Sequence, residues 1–284
     1  MESRNYSKNK RKKIGICNIC GEKRELTWDH VPPKFCFNTE KVKYNKILDI
    51  NNQEKLEESQ NGIKFRSICN DCNNHLLGSR YDKEYKKLVD FLYNLYTSKT
   101  ELNRYIDIEG LQVNKIARAI VGHFLAAKTS FSNNEIEKKL RDYFLDETKL
   151  PPQEMSLLYY VYIYNTIMIM RDFVPQKIGT DQYKVPSGFI SCINSFPLAF
   201  ILGDKLDDKC GLYDLFDYCT NNIDEVITIR IDLLSYLYAD TKTPRNPYWP
   251  CNVNDSKTGT DMILLTNDSQ TDSVFSTKRN LHIK

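Results

Sequence analysis

Long apolar runs are absent from this 284-residue sequence. The two longest stretches without a charged side chain are 155–170, which is rich in tyrosine, and 185–203, which contains two prolines and several polar residues. A membrane-spanning helix needs about 20 mostly apolar residues, and no apolar stretch follows the basic N-terminus as a secretory signal would require. We therefore expect a cytoplasmic protein with no membrane partner.

Glycine and proline are also scarce, with 11 and 10 residues, which excludes a collagen-like or low-complexity chain. With 41% apolar and 27% charged residues, the composition is that of a globular protein with one large domain or two smaller ones. The nine cysteines would be unusual as disulfides in the cytoplasm. They indicate metal ligation or buried free thiols instead.

Positive charge is unevenly distributed, although the formal net charge is only +3. Residues 1–100 carry 20 Lys/Arg against 13 Asp/Glu, a balance of +7, and residues 101–284 carry 20 against 24, a balance of −4. The excess is greatest in six cations near the N-terminus: Arg4, Lys8, Lys10, Arg11, Lys12 and Lys13. This pattern favours a polyanionic partner such as nucleic acid, with a solvated basic tail as the alternative.

The pattern of the chain predicts three regions: a basic disordered arm over 1–13, a cysteine-containing domain over 14–98, and an accessory domain over 99–284 that binds substrate or a partner. Helical spacing of apolar residues appears over 81–96 and again over 113–125. Ser132 and Glu135 have the spacing of a capping box at the start of a further helix. His123, beside the second apolar stripe, is interpreted as a histidine at the edge of the core rather than a ligand.

β-Branched and aromatic residues then predominate, which is typical of strands. The predicted strands are 157–164, 166–170, 188–193, 198–202 and 226–231. Residues 38–52 and 56–61 are rich in polar side chains and are predicted to be loop, and 267–284 a frayed tail. The fold class is therefore α+β, with helices first and a mainly antiparallel sheet after them. The tyrosines of 157–164 could stack on unpaired bases, but a sheet core explains them better.

Two Cys-x-x-Cys pairs, Cys17/Cys20 and Cys69/Cys72, are the most specific local signal. Four thiolates from two such pairs make a closed tetrahedral site for structural zinc. Because 48 residues separate the pairs, the site must join two distant segments around an inserted element. The alternatives are that the two pairs are unrelated or that one is a redox pair, but nothing nearby resembles the βαβ setting that a redox motif needs. Cys36, Cys192, Cys210, Cys219 and Cys251 have no ligand spacing and are predicted to be ordinary thiols.

An Asp-His dipeptide, Asp29-His30, lies between the cysteine pairs and is followed by Val-Pro-Pro. A carboxylate is a hard ligand for Mg²⁺, and a neighbouring imidazole that stays free can act as a base. Asn73, Asn74 and His75 directly follow the second pair, and an amide oxygen or imidazole there could complete a metal site. His75 is therefore a candidate ligand, with a surface histidine as the alternative.

The segments CNIC (17–20), DHVPPK (29–34) and CNDCNN (69–74) together resemble the zinc-stapled HNH endonucleases of the ββα-metal fold. The resemblance covers 14–98 and implies a two-stranded ribbon, a connecting loop and a helix. It further implies that His30 is the general base and Asp29 a metal ligand, with Asn73 at the third position of the motif. The middle Asn of the motif has no clear counterpart here, since Asn61 is displaced. Either the motif is a relaxed variant or a backbone carbonyl orients His30.

This resemblance implies a Mg²⁺-dependent endonuclease that hydrolyses phosphodiester bonds of DNA, more so than RNA, in antiphage defence. Its cofactors would be structural Zn²⁺ and a catalytic divalent ion, and a sensor or ATPase protein could be its partner. Lys34, Arg66 and Arg80 are candidate phosphate contacts together with the arm residues Lys10, Arg11, Lys12 and Lys13, although each could equally be a solvated charge. The alternative functions are a zinc-stapled nucleic-acid-binding module without catalysis and a protein–protein adaptor.

Overall fold

The computed structural model describes residues 11–40, 42–46, 57–98, 100–173, 190–205, 211–238, 244–247, 249–250 and 263–266. Within these ranges the chain is α+β, with antiparallel sheets and helices, as the sequence predicts. The predicted tail 267–284 and most of the basic arm, including Lys10, lie outside the described residues. None of the helices that the structure describes has the length and apolar character needed to cross a membrane.

The N-terminal part is built on a small antiparallel sheet. Its elements and those that interrupt it are β1 (Ile14–Ile16), β2 (Lys23–His30), a 3₁₀ turn (Lys34–Cys36), β3 (Val42–Lys46), β4 (Glu57–Ser59) and β5 (Lys64–Cys69). The strand order of the small sheet is β1-β2-β5, and a bulge falls between Thr27 and Trp28 of β2. A π-helix (Asp71–Tyr81) follows β5 and continues directly into α1 (Asp82–Thr97).

Strands β3 and β4 correct the prediction that 38–52 and 56–61 are loop. β3 pairs with β4 and also with the late strand β13 (Ile263–Thr266). The excursion between the cysteine pairs thus extends the edge of the large sheet. Polar composition misled the prediction, because strands near a sheet edge need few apolar side chains.

Along the chain, β6 (Tyr105–Leu111) is followed by helices α2 (Val113–Ala126) and α3 (Glu135–Leu145), and then by β7 (Met155–Val161) and the later strands. The capping prediction at α3 is wrong by two residues. The N-cap is Asn134, whose side chain accepts a hydrogen bond from the Glu137 backbone at 2.7 Å, while the Ser132 hydroxyl accepts from the Asn134 backbone. Asn is as good an N-cap as Ser, and Asn134-x-x-Glu137 satisfies the same spacing.

The large sheet has eight strands in the order β11-β7-β10-β9-β8-β13-β3-β4. Its remaining strands are β7 (Met155–Val161), β8 (Met168–Phe173), β9 (Ile190–Ser195), β10 (Leu198–Asp204) and β11 (Tyr213–Asp214), and β12 (Ile227–Asp232) pairs with β6. The tyrosines of 157–164 are buried, and their hydroxyls donate to backbone carbonyls such as that of Arg230. They form core and cannot stack on bases.

Helix α2 is almost wholly buried, and its C-terminus is bonded to the first cysteine loop and to the small sheet. Its last carbonyls have no helical partner. Asn18 of the first cysteine loop donates to the Leu125 and Lys128 carbonyls at 3.1 and 2.8 Å, and Ser67 of β5 donates to the Ala126 carbonyl at 2.5 Å. Residues on both sides of position 98 therefore share one core.

Candidate functional site

Four cysteine sulfurs converge where the β1-β2 turn meets the start of the π-helix. The Sγ atoms of Cys17, Cys20, Cys69 and Cys72 all lie within 4.8 Å of one another, close enough to hold one metal ion. The Cys20 and Cys69 sulfurs are 3.9 Å apart, near the roughly 3.8 Å edge of a tetrahedron with metal–sulfur bonds of about 2.3 Å. Among the described residues no other group of three His, Cys, Asp or Glu side chains meets this criterion.

A tight turn orients the sulfurs of the first cysteine pair, Cys17 and Cys20, toward the cluster. The Cys17 backbone donates to the Glu22 carbonyl at 2.8 Å, and the Gly21 backbone donates to the Cys17 carbonyl at 2.9 Å. The Cys69 backbone donates to the Cys17 sulfur at 3.3 Å. A hydrogen bond from Cys72 lowers the pKa of Cys17 to about 5, and the same bond raises the pKa of Cys72. The cluster thus already stabilises a thiolate, the form that binds metal.

His30 ends strand β2, and its ring is held by a backbone carbonyl. Its Nε2 lies 3.0 Å from the Asn61 carbonyl oxygen. Because a carbonyl can only accept, Nε2 carries the proton and Nδ1 keeps its lone pair. Burial lowers the pKa of His30, so the ring is neutral at pH 7. Of the two explanations for the missing middle Asn, the structure supports orientation by the backbone.

The segment that presents this carbonyl is itself held by Asn38. The buried Asn38 amide nitrogen donates to the Pro32 and Ile63 carbonyls at 2.6 and 3.0 Å, and its oxygen accepts from the Ile63 backbone at 2.7 Å. Gly62 has a φ of +65°, and a Cβ there would lie 2.2 Å from the Asn38 carbonyl oxygen. Only glycine fits, so the loop after His30 and the start of β5 form one rigid unit.

Asp29 points to the opposite side of β2 from His30, because successive residues of a strand alternate. Its Oδ2 is buried and lies 3.4 Å from Nδ1 of His123 on helix α2. Nε2 of His123 lies 3.0 Å from Oδ1 of Asp82, the first residue of α1. Burial alone would lower the pKa of His123, but the two carboxylates outweigh burial and raise it to about 10. The prediction of a histidine at the edge of the core agrees with its burial, but the contact with Asp29 was not predicted.

Asn73 is anchored between the ribbon and the helix. Its amide nitrogen donates to Thr27 Oγ1 at 3.0 Å and to the Trp28 carbonyl at 3.1 Å. Both bonds use the nitrogen, so the amide oxygen is oriented and no hydrogen bond within the described chain engages it. A carboxylate and an amide oxygen are the hard donors that Mg²⁺ prefers, and the Asp29–Asn73 set fits such an ion in donor chemistry. His75 is exposed on the π-helix, and we leave it out of the metal set.

A polar face of the ribbon surrounds His30. Strand register places Lys64 opposite His30 and Arg66 opposite Trp28, so the four side chains share one face. The Arg66 guanidinium lies 4.7 Å from the centre of the Trp28 ring, which is 42% exposed. Lys34 is exposed in the 3₁₀ turn that follows. This face combines cations with an aromatic ring around the imidazole.

Other predicted phosphate contacts have different surroundings. Arg80 forms an ion pair with Glu147, whose carboxylate raises the pKa of the guanidinium, so its charge is already balanced. Arg11 belongs to the folded part, because its guanidinium donates to the Asn18 side chain at 2.6 Å and to the Ile16 carbonyl at 2.8 Å. Lys12 and Lys13 are exposed, and Lys13 pairs with Glu25 at 3.0 Å.

The remaining described cysteines are free thiols, of which Cys36 and Cys192 are buried and Cys219 is partly buried. Cys210 and Cys251 lie outside the described residues.

Sequence reasoning missed three side chains of the site: Lys64, Asp82 and His123. The position of Lys64 depends on strand register, which the bulge shifts. His123 was visible only as a histidine inside an apolar helical stripe. A polar residue on the buried face of a helix must find a partner there, and that rule was the only signal for it.

Comparison with protein-family models, with curated proteins and with solved structures gave no match to this chain.

Proposed function

We propose that this protein is a metal-dependent endonuclease of the HNH type that hydrolyses phosphodiester bonds of DNA. The observation that carries the proposal is the placement of Asp29 and His30. They are neighbours on one strand, the imidazole is neutral with a free Nδ1, and the carboxylate lies on the other face of the strand. Asn73 is anchored to the carbonyl of Trp28, the residue before Asp29. A strand pair, a helix and a four-cysteine cluster support this arrangement.

The four cysteines are proposed to hold structural zinc. Their sulfurs surround one point, and the loops that carry them are tied to β5 and α2 by Asn18 and Ser67. A closed four-sulfur site leaves no position for substrate. Its role is therefore to fix the ribbon and the helix that carry the reacting groups.

In the proposed reaction, Nδ1 of His30 takes the proton of the attacking water while the Asn61 carbonyl holds the ring. A divalent ion held by Asp29 and Asn73 would supply the positive charge that stabilises the developing phosphorane and the leaving oxygen. Lys34, Lys64 and Arg66 contribute cations around the reacting phosphate. Trp28 offers an exposed ring on which a neighbouring base can stack.

The test is incubation of the zinc-loaded protein with plasmid DNA and with single-stranded RNA. Reactions start on addition of Mg²⁺ or Mn²⁺, and the negative control omits the added ion rather than adding a chelator, which would also attack the cysteine site. Cleavage of DNA that requires the added ion supports the proposal. Metal-independent binding with no cleavage would make the protein a nucleic-acid-binding module.

A further inference from the structure

Asp29 contacts helix α2 through only one of its two carboxylate oxygens, and that oxygen is buried. Oδ2 of Asp29 faces His123 and is closed to solvent, and the small remaining exposure of the residue, 9%, belongs to the rest of the side chain. The two oxygens of one carboxylate thus have different surroundings. The inner oxygen lies at ion-pair distance, 3.4 Å, from the His123 ring without a hydrogen bond of good geometry, and the outer one has no hydrogen-bond partner among the described residues.

His123 is held in register by close packing. It is 2% exposed and lies one residue after Gly122, where a Cβ would come within 2.8 Å of Leu77 on the π-helix and 2.5 Å of Phe144 on α3. Helix α2 therefore packs closely against the π-helix and α3 at this position, with no room for a side chain at Gly122. Asp82 lies on the far side of the ring, with its Oδ1 3.0 Å from Nε2 of His123. This contact leaves Nδ1 facing Asp29.

We propose that His123, supported by Asp82, is a positioning residue that orients the Asp29 carboxylate and presents its outer oxygen to a divalent cation. This inference rests on the proposed function, since it assumes that Asp29 is a metal ligand. A histidine contributed by α2 lies well outside the segments that carry the HNH resemblance. Metal affinity at the ribbon would then depend on a helix that follows the cysteine-containing segment in the chain. Outer-shell partners of metal ligands commonly have such an effect on affinity.

Two substitutions test the contacts of the two ring nitrogens of His123 separately. In His123→Asn the amide nitrogen can occupy the place of Nδ1 and still face Asp29 as a polar donor group, but it loses Asp82. In His123→Gln the amide reaches the place of Nε2 and keeps Asp82, but it loses Asp29. The two variants remove similar volume, so a merely structural role predicts similar behaviour for both.

The measurement is a titration of the full-length, zinc-loaded protein with Mn²⁺, followed by electron paramagnetic resonance, with Asp29→Ala as the reference for loss of the site. We expect His123→Gln to weaken Mn²⁺ binding about 10- to 100-fold, the usual effect of removing an outer-shell partner. His123→Asn should stay much closer to the parent. Zinc content and the thermal midpoint, measured on each variant, report folding. If His123→Gln fails to fold, His123→Asn replaces it, and weakening of Mn²⁺ binding to the level of Asp29→Ala would contradict the proposal, because this variant keeps a polar group facing Asp29.

Equal Mn²⁺ affinity in parent, His123→Gln and His123→Asn, with loss only in Asp29→Ala, would overturn the positioning role while leaving the metal site intact. Equal weakening in His123→Asn and His123→Gln would also overturn it. Unchanged Mn²⁺ binding in Asp29→Ala would instead overturn the proposed metal site itself. The two failures are therefore distinguishable.

Discussion

At the scale of single residues, His30 and Asp29 divide the chemistry of the proposed site between the two faces of one strand. We expect His30→Ala to reduce cleavage about 10²- to 10⁴-fold, the usual cost of losing a positioned general base. Zinc content and DNA binding should be unchanged, because the hydrogen bond that holds the ring goes to the Asn61 carbonyl and not to a cysteine. A cleavage time course at saturating Mg²⁺ measures the effect.

His75→Ala is the matched control, since it removes an exposed histidine from the same region. It should cut DNA at the parent rate. A parent-like rate in His30→Ala would show that another group takes the proton.

The backbone that holds His30 can be tested at Gly62. Gly62→Ala must adopt a left-handed φ of +65° and also place a Cβ 2.2 Å from the Asn38 carbonyl oxygen. We expect a loss of at least about 2–3 kcal/mol in the free energy of unfolding, since strain of about 1–2 kcal/mol is joined by a clash with backbone. Chemical denaturation measures it.

Gly110→Ala provides the comparison, because Gly110 has a φ of +79° but no atom within 4 Å of an added Cβ. It should cost only the conformational strain, about 1–2 kcal/mol. If both variants lose the same stability, the clash at Asn38 is relieved by a small shift, and the loop is less rigid than its hydrogen bonds indicate.

At the scale of elements, helix α2 depends on the cysteine loop for the capping of its C-terminus. Asn18→Ala would leave the Leu125 and Lys128 carbonyls buried without this donor. We expect a loss of about 1–3 kcal/mol, the cost of an unsatisfied buried polar group, seen as a lower thermal midpoint.

Asn74→Ala, which removes an exposed amide bonded only to the Asn70 side chain, should change stability by no more than about 0.5 kcal/mol. An equal effect of the two substitutions would argue against coupling between the cysteine loop and the helix.

The elements also show what the sequence could and could not predict. Helix α2 and strands β7, β9 and β10 have strong local patterns, and their predicted positions agree with the structure within a few residues. The cysteine cluster was predictable because a Cys-x-x-Cys pair is itself a local signal. The pairing of β3 with β13 and the approach of His123 to Asp29 depend on contacts between distant segments, for which one sequence carries no pattern.

At the scale of the whole molecule, metal and fold are expected to be linked. Removal of the cysteine-bound metal, or Cys69→Ala, should loosen α2 as well as the ribbon, because Asn18 and Ser67 connect them. Metal binding at such a site is part of the folding free energy. We expect near-ultraviolet circular dichroism of the buried tyrosines to diminish when the metal is removed, and to return on addition of Zn²⁺. Metal analysis that finds no zinc in protein purified without chelators would contradict the prediction.

Charge near the N-terminus gives the second prediction at this scale. A truncation that removes residues 1–10 takes away Arg4, Lys8 and Lys10 but keeps Arg11, which is bonded to Asn18. DNA binding should weaken, and the slope of log affinity against log salt should become shallower by up to about three. Each phosphate contact that forms releases about 0.9 counterion, and the truncated protein forms up to three fewer. Fluorescence anisotropy at several salt concentrations measures it, and an unchanged slope would mean that these cations do not contact DNA.

The pairing of β13 with β3 and β8 has a consequence for biosynthesis. A chain leaves the ribosome N-terminus first, at about 5–20 residues per second. The ribbon with Asp29 and His30 emerges first, His123 follows, and β13, which joins β3 to β8, emerges after both. A product terminated before β13 would therefore carry the reacting residues without the strand that joins β3 and β4 to the rest of the large sheet.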